Sequence, residues 1–385
     1  SKNQINNFLI NRFLHNHYRI LFKNIEYHLL GNHLLENAFS LLFGAYYFQD
    51  EKLFNRSKKI LKKELSEQIL NDGGHFELSP MYHQIILFRV LDCIQLIKLN
   101  RWKNDDLLEL LKEISSKMLS WLNNVTFNNG DIPMVNDSAF EIAPSSKELL
   151  DYGKSLGINI EDIKLTDSGY RMFKNIKYEL FMDMGGVKAS YQPGHVHSDI
   201  FNFILYKNNL PFIVDTGTST YEKNERRQLE RSTSSHNTIT IGDYEQIEVW
   251  GGFRVAQRAK IVSFSESKNE FSSSHDGYKK IGVIHKRNFI TNLDSIHIYD
   301  ELNKQDIYEQ VAHFHFHPFI KNIIIKNTSV FFENLDVEIS FKGKNISINK
   351  EFYRFSNGFN KTENAIKLKV VFELNLETII KLLKE

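Results

Sequence analysis

The chain has 385 residues but a single cysteine, Cys93, and only six prolines. One thiol cannot form an internal disulfide, so a disulfide-stapled scaffold is excluded. No apolar run approaches the ~20 residues that a membrane-spanning helix needs. The opening SKNQINNFLINRF lacks the apolar core and small-residue cleavage pattern of a signal peptide. Because the chain starts at Ser1, without methionine, this leaves the compartment open, with a periplasmic or secreted location slightly favoured. Charge of one sign is also missing: 48 Lys and Arg stand against 47 Asp and Glu, so there is no global field for nucleic acid. No glycine-rich phosphate loop, nucleophile elbow or CxxC pair occurs, which argues against nucleotide-driven chemistry and the common covalent hydrolase designs. What the chain does have is length beyond one ordinary core, and thirty Phe with sixteen Tyr to fill two domains.

The period of the apolar residues changes along the chain. From about Ile5 to Leu156 they recur at three- and four-residue spacing, as in amphipathic helices. Gly31 interrupts the first long run, and Asn71-Asp72-Gly73-Gly74 marks a stop after a helix over Glu51–Ile69. Ser79-Pro80 reads as N-cap and first helical residue of the next helix. A further helix spans Asp105 to about Asn124, and a short one lies near Ser145–Leu156. Short links between them predict an array of helical hairpins. After Leu165 the texture becomes short β-rich runs broken by Gly, Asn, Asp and Lys, which predicts an antiparallel sandwich. The expected organisation is therefore a helical domain over 1–165 and a β domain over 166–385.

Three stretches carry candidate chemistry. In GNHLLENA (31–38), Asn32 and Glu36 share a helix face, with His33 beside Glu36, inside an otherwise apolar run; a plain polar stripe is the alternative. In DGGHFELSPMYHQ (72–84), a helix starting after Ser79 puts Tyr82 near the positive end of the helix dipole. That field predicts a lowered tyrosine pKa suited to a base, unless Tyr82 is only an aromatic staple. His83 points about 100° away around the helix and reads as a supporting residue. The third stretch, Gln192 to Thr238, holds His195, His197, Asp215 and His236. His195 and His197, two apart in an extended-looking segment, should leave one face of a strand. Two histidines and a carboxylate at strand ends make a plausible zinc set, and satisfied structural histidines are the alternative. His313, His315 and His317 alternate on another strand without a nearby acid, and read as packed or solvent-facing.

Taken together, GNHLLENA, DGGHFELSPMYH, GDIPMVNDS and the series PGHVHSDIFNF, PFIVDTGTSTY and RSTSSHNT resemble the heparinase II/III-like polysaccharide lyases, relatives of the alginate and oligoalginate lyases. The resemblance covers most of residues 30–260. It implies an incomplete (α/α) toroid followed by an antiparallel β-sandwich, and cleavage of a uronic-acid-containing glycan by β-elimination. It implies that Asn32 and His33 neutralise the substrate carboxylate, that Tyr82 takes the C5 proton, and that His195 is the second acid/base. It implies a structural zinc on His197, Asp215 and His236, and an active-site acid at Glu36. Substrate contacts are expected from Glu36, His83, Arg231, Trp250 and Arg254, with Arg226 and Arg227 also able to hold acidic sugars and Tyr191, Tyr221 and Phe253 to stack on sugar rings. The expected partner is an acidic polysaccharide or oligosaccharide, with no nucleic acid; oligomeric state is left open. Family members carry a longer helical region ahead of the GNHLLENA match, so the chain is expected to be a fragment or to have a reduced toroid. Two other functions stay open: a non-catalytic glycan-binding or assembly protein, and a zinc hydrolase with metal-bound water at His197, Asp215 and His236.

Overall fold

The computed structural model describes residues 2–100, 102–103, 105–191, 193–304, 307–332 and 335–383. Among these the chain is mixed: helices fill its first part, and antiparallel sheets fill the rest. The helices are α1 (Lys2–Lys23), α2 (Gly31–Phe48), α3 (Glu51–Gln68), α4 (Pro80–Leu99), α5 (Leu107–Val125), α6 (Ser146–Ser155) and α7 (Glu225–Arg231). The chain divides into two compact units: Ser1–Phe76, His83–Asn123 and Pro144–Lys164 form one, and Glu77–Tyr82, Asn124–Ala143 and Leu165–Glu385 form the other.

In the helical unit, local chemistry sets the helix ends. Asp50 caps α3 by accepting from the amides of Lys52 (2.8 Å) and Leu53 (3.1 Å). Ser145 and Glu148 form a reciprocal capping box on α6. The apolar stripes of α2 (Leu34, Leu35, Ala38, Leu41, Leu42, Ala45) and α3 (Ile60, Leu61, Leu65) are buried. The turn after α3 needs glycine: Gly73 has φ +88°, and a Cβ there would meet the Lys117 carbonyl oxygen at 2.1 Å. The break in the first apolar run lies over residues 24–30, between α1 and α2, and not at Gly31 alone; Leu30 and Gly31, at the start of α2, both have positive φ.

In the β unit, strands Tyr170–Lys174, Tyr178–Asp183, Phe203–Lys207 and Leu210–Ile213 pair in sequence order as a four-stranded antiparallel sheet. A ten-stranded antiparallel sheet is centred on Val337–Ser356 and Thr362–Leu382, which pair along nearly their whole length. Gln310–His315 pairs with Thr362–Leu382 on one side and Ile239–Ile241 on the other. Side chains from both sheets, among them Leu180, Phe203, Leu205, Phe289, Phe314, Leu368 and Val370, enter one apolar core.

Two expectations change here. The last strands are 20 and 21 residues long, not short. The middle of the first, Lys344–Arg354, is mostly exposed, so its Lys, Asn and Glu residues hide the alternation that marks a strand. The His195–His197 segment is turn and loop, not strand. His313 and His315 are packed inside a strand, 3% and 1% exposed, with His313 Nε2 2.8 Å from Thr240 Oγ1.

Burial holds several histidines neutral. It pushes His83 down to about 4 and His313 to about 3, and lowers His275, His285 and His315. Each has a native pKa below its unfolded value, so between the two the unfolded chain binds more protons. Stability should be complete above about pH 6.5 and fall as pH drops, by up to about 1.4 kcal/mol per pH unit for each such histidine. His195, His236, Glu77, Asp183 and Asp199, whose pKa values are raised, oppose this without outnumbering the lowered histidines, which also include His197 and His317. The urea midpoint should therefore be highest above about pH 6.5 and fall from there to about pH 5; a midpoint that stays flat over that range would contradict the assignment.

Candidate functional site

The β unit places a buried carboxylate, Asp137, where several chain segments meet. Asp137 is 0% exposed. Its Oδ2 lies 2.8 Å from His195 Nδ1 and its Oδ1 2.9 Å from His197 Nε2. Arg227, on α7, donates from Nη1 to Oδ1 and from Nη2 to Oδ2 (2.7 Å), closing a two-pronged ion pair. Burial alone would raise the Asp137 pKa, but hydrogen bonds from both histidines and the Arg227 charge hold it well below the usual carboxylate range. The backbone locks the same segment: Asp137 N donates to His195 O (3.1 Å), and Asn136 Oδ1 accepts from His197 N (2.9 Å). Asn136 has φ +52°. The loop containing both histidines is thus tied to residues 136–137 by side chain and main chain together.

Tyr82 is built onto this hub from the other side. Ser79 Oγ donates to Asp137 O (2.7 Å) and accepts from Tyr82 N (3.2 Å), so the cap of α4 is anchored on the same peptide. The Tyr82 ring stands 4.0 Å from the His195 ring, centroid to centroid, tilted by 32°. The Tyr221 hydroxyl donates to Tyr82 Oη at 3.4 Å, and Phe253, 42% exposed, closes the edge of His195 at 6.0 Å. The Arg227 guanidinium lies over both Tyr221 (5.1 Å) and Phe253 (5.2 Å). The dipole-lowered tyrosine expected from sequence is overturned in direction. Burial raises the Tyr82 pKa, and the opposing pull of the Tyr221 hydroxyl and Arg227 does not cancel it. Tyr82 therefore rests as a neutral phenol.

Beyond Asp137 lies the candidate metal cluster. His236 Nδ1 is 2.7 Å from Asp215 Oδ2, and the His197 and His236 rings are 5.4 Å apart. Asn202 Nδ2 (2.6 Å) and Gly217 N (3.0 Å) also donate to Asp215. Burial pushes His197 down to about 4, keeping the neutral form a metal requires. Two buried ring atoms, His197 Nδ1 and His236 Nε2, have no hydrogen-bond partner, which is uncommon for buried polar atoms. Among the described residues no three His, Cys, Asp or Glu side chains stand arranged to hold an ion. Asp215 faces His236 through a hydrogen bond. The donor types fit zinc nonetheless: two imidazoles, each with a buried free ring atom, and one carboxylate.

The remaining expected residues divide by unit. In the helical unit, Asn32 and His33 lie in the first turn of α2, half-buried and exposed respectively. Gln68 Nε2 braces that turn through Gly31 O (3.0 Å), and Asn37 ties α2 to Glu26. Glu36 is paired with Arg89 at 3.2 Å. His83 is not placed to meet a substrate: it is fully buried against Trp121, with Nε2 on Met118 O (3.0 Å). Arg231 is likewise no surface hand for sugars. It is 0% exposed and donates to the carbonyls of Val196, Gly252 and Arg254, bracing the histidine loop. Trp250 (49% exposed) and Arg254 remain at the surface, stacked at 5.1 Å across a two-stranded hairpin. Sequence reasoning missed Asp137 altogether and read Arg227 only as a sugar-holding cation. The signal was present as the Asn-Asp-Ser of GDIPMVNDS, but nothing in its spacing tied it to a histidine pair 58 residues away.

A helical unit and an antiparallel β unit with this order of elements also occur in solved polysaccharide lyases. A heparinase III superposes with TM-score 0.80 at 19% identity, covering 98% of this chain and 63% of that one. The heparan sulfate lyase HepC from Pedobacter heparinus superposes with TM-score 0.72 at 17% identity, over 95% and 62%. In sequence, residues 1–152 match the heparinase II/III N-terminus and residues 159–377 the heparinase II/III-like C-terminal domain. The chain belongs to the heparinase II/III-like family. It is 27% identical over 249 residues to a heparin-sulfate lyase of Bacteroides stercoris, and 26% over 260 residues to one of Bacteroides thetaiotaomicron. Those matches take in 56% and 55% of this chain but only 36% and 37% of the relatives' own length.

Proposed function

We propose that the chain is a polysaccharide lyase that cleaves a uronate-containing glycosaminoglycan by β-elimination, with its helices as part of an (α/α) toroid over 1–165 and its sheets as a β-sandwich over 166–385. The observation that carries it is the Tyr82–His195 ring pair, 4.0 Å apart, with His195 held by the buried Asp137. The reaction removes the C5 proton of a uronate, forms the C4–C5 double bond and expels the C4 oxygen, which takes up a proton. The C5 hydrogen is a poor acid while the carboxylate is charged, so donors must stabilise the enolate-like intermediate. Asn32 and His33 are assigned that role; they lie where the α2 dipole favours an anion. Tyr82 is assigned the C5 proton and His195 the second acid/base step. Since Tyr82 rests neutral, its proton must leave before it acts as base, and Arg227 and the Tyr221 hydroxyl act in that direction. Trp250 with Arg254, and Phe253 beside His195, offer exposed apolar and cationic surface for neighbouring sugars. Glu36, held by Arg89, is the assigned helical-unit acid.

Zinc is proposed on His197, Asp215 and His236, supported by the two partnerless buried ring atoms. When bound it supplies a cross-link between the histidine loop and the strand end at Asp215, so its role is structural.

Incubation with heparan sulfate, heparin, chondroitin sulfate, hyaluronan, alginate and bacterial capsule polymers should raise ultraviolet absorbance from the unsaturated uronate on at least one of them. Tyr82→Phe should lower kcat by roughly 10²–10⁴-fold with the fold intact. Glycan binding with no absorbance gain on any polymer would replace the lyase by a binding protein. For the metal, elemental analysis should find zinc bound to the protein, and His236→Gln should abolish it while lowering Tm by several degrees. A protein without zinc whose Tm ignores chelators would remove that assignment.

A further inference from the structure

Two histidines separated by one residue are given different work in the proposed function, and neither spacing nor residue type says how. The arrangement around Asp137 supplies a physical cause. A carboxylate has about four lone-pair directions, and Asp137 meets four donors: His195 Nδ1 and Arg227 Nη2 at Oδ2, and His197 Nε2 and Arg227 Nη1 at Oδ1. Arg227 cannot give up its charge, and its paired contact makes Asp137 an ionised, acceptor-only group. Every ring atom that faces Asp137 must then carry hydrogen. His195 presents Nδ1 to it and His197 presents Nε2.

We infer that Asp137, clamped by Arg227, is a positioning residue that fixes the two histidines in opposite tautomers: His195 with hydrogen on Nδ1 and a bare Nε2, and His197 with hydrogen on Nε2 and a bare Nδ1. The consequence is a division of labour. The bare Nε2 of His195 belongs to the ring stacked beside Tyr82, where a proton acceptor is wanted. The bare Nδ1 of His197 is the partnerless buried atom beside His236. A single carboxylate thus sets one imidazole for proton transfer and the next for metal ligation or internal packing. Backbone ties fix which ring takes which job. Asp137 N holds His195 O and Asn136 Oδ1 holds His197 N, so neither histidine can exchange places by sliding. Ser79, anchored on Asp137 O, brings Tyr82 to the same peptide.

The role of His195 rests on the lyase reading, but the tautomers can be observed without turnover. In protein as purified, with ¹⁵N-labelled histidine, long-range ¹H–¹⁵N spectra at pH 8 should show His195 protonated on Nδ1 with a lone-pair Nε2. His197 should be protonated on Nε2, with a lone-pair or metal-shifted Nδ1; His195→Gln assigns the first set. In Asp137→Asn the amide offers one acceptor and a competing N–H₂, so at least one imidazole must change tautomer or lose its bond. That variant leaves the buried Arg227 without its charge partner, so it should have a lower Tm; in the cold, where its circular dichroism still matches the native protein, kcat should fall by roughly 10–100-fold and KM stay within about twofold. A native spectrum with both histidines in one tautomer, or with hydrogen on His195 Nε2, overturns the inference whatever the variant does. So does an Asp137→Asn spectrum unchanged at both rings. Opposite tautomers in a protein that turns over no uronate glycan would remove the lyase reading and leave the tautomer assignment standing. Turnover with matching tautomers would do the reverse.

Discussion

The β unit depends on one buried ion pair. Asp137 and Arg227 are both almost wholly out of water, 0% and 1% exposed, where an unpaired charge of either sign would be very costly. Their two-pronged contact answers that cost, and the remaining lone-pair directions of Asp137 are filled by His195 and His197. Because the pair joins α7 to the loop at 136–138, and the histidines join both to the loop at 193–202, removing either charge would strand the other and loosen three segments at once. Arg231, one turn further along α7, repeats the device without an acid by gathering carbonyls of Val196, Gly252 and Arg254. The short helix α7 is therefore a structural clamp for the histidine loop.

From this clamp the chemistry is graded outward. His195 is half-buried and touches aromatic rings, whereas His197 and His236 are fully enclosed. The same carboxylate raises the proton affinity of His195 against the burial that lowers it, while burial wins at His197. Two histidines of similar local sequence thus acquire different proton affinities from their surroundings, the usual way in which one loop serves two purposes. Tyr82 shows the opposite balance. Its place at a helix start and beside Arg227 favours the phenolate, but loss of solvent outweighs both.

Much of this was legible in the residues. Most helices followed from apolar spacing and from the cap at Ser79, and many strands from their β-rich composition. The first of the two long final strands was hard to see because its exposed stretch, Lys344–Arg354, carries no apolar face to betray it; the second, Thr362–Leu382, is mostly buried or half-buried, and exposure does not explain why its length went unread. The segment holding His195 and His197 was misread as a strand from their two-residue spacing; it is tertiary hydrogen bonding through Asn136 and Asp137 that holds this loop. Residue types at Tyr82, His195, His197, Asp215 and His236 were noticed from composition and motif. Asp137 was invisible because its importance comes from partners distant in sequence, and Arg231 was misjudged because an arginine in an otherwise polar run gives no sign of burial. His83 was misjudged for a different reason: its place next to Tyr82 suggested the site, whereas it turns into the core against Trp121 and Met118 O.

The central claim is cleavage by elimination at the Tyr82–His195 pair. The most direct measurement is mass spectrometry of the products from a defined uronate-containing oligosaccharide of the glycosaminoglycan type. The account predicts two product masses that sum to the substrate mass, one product carrying the unsaturated uronate at its new end. Products whose masses sum to the substrate plus one water would show hydrolysis and contradict it.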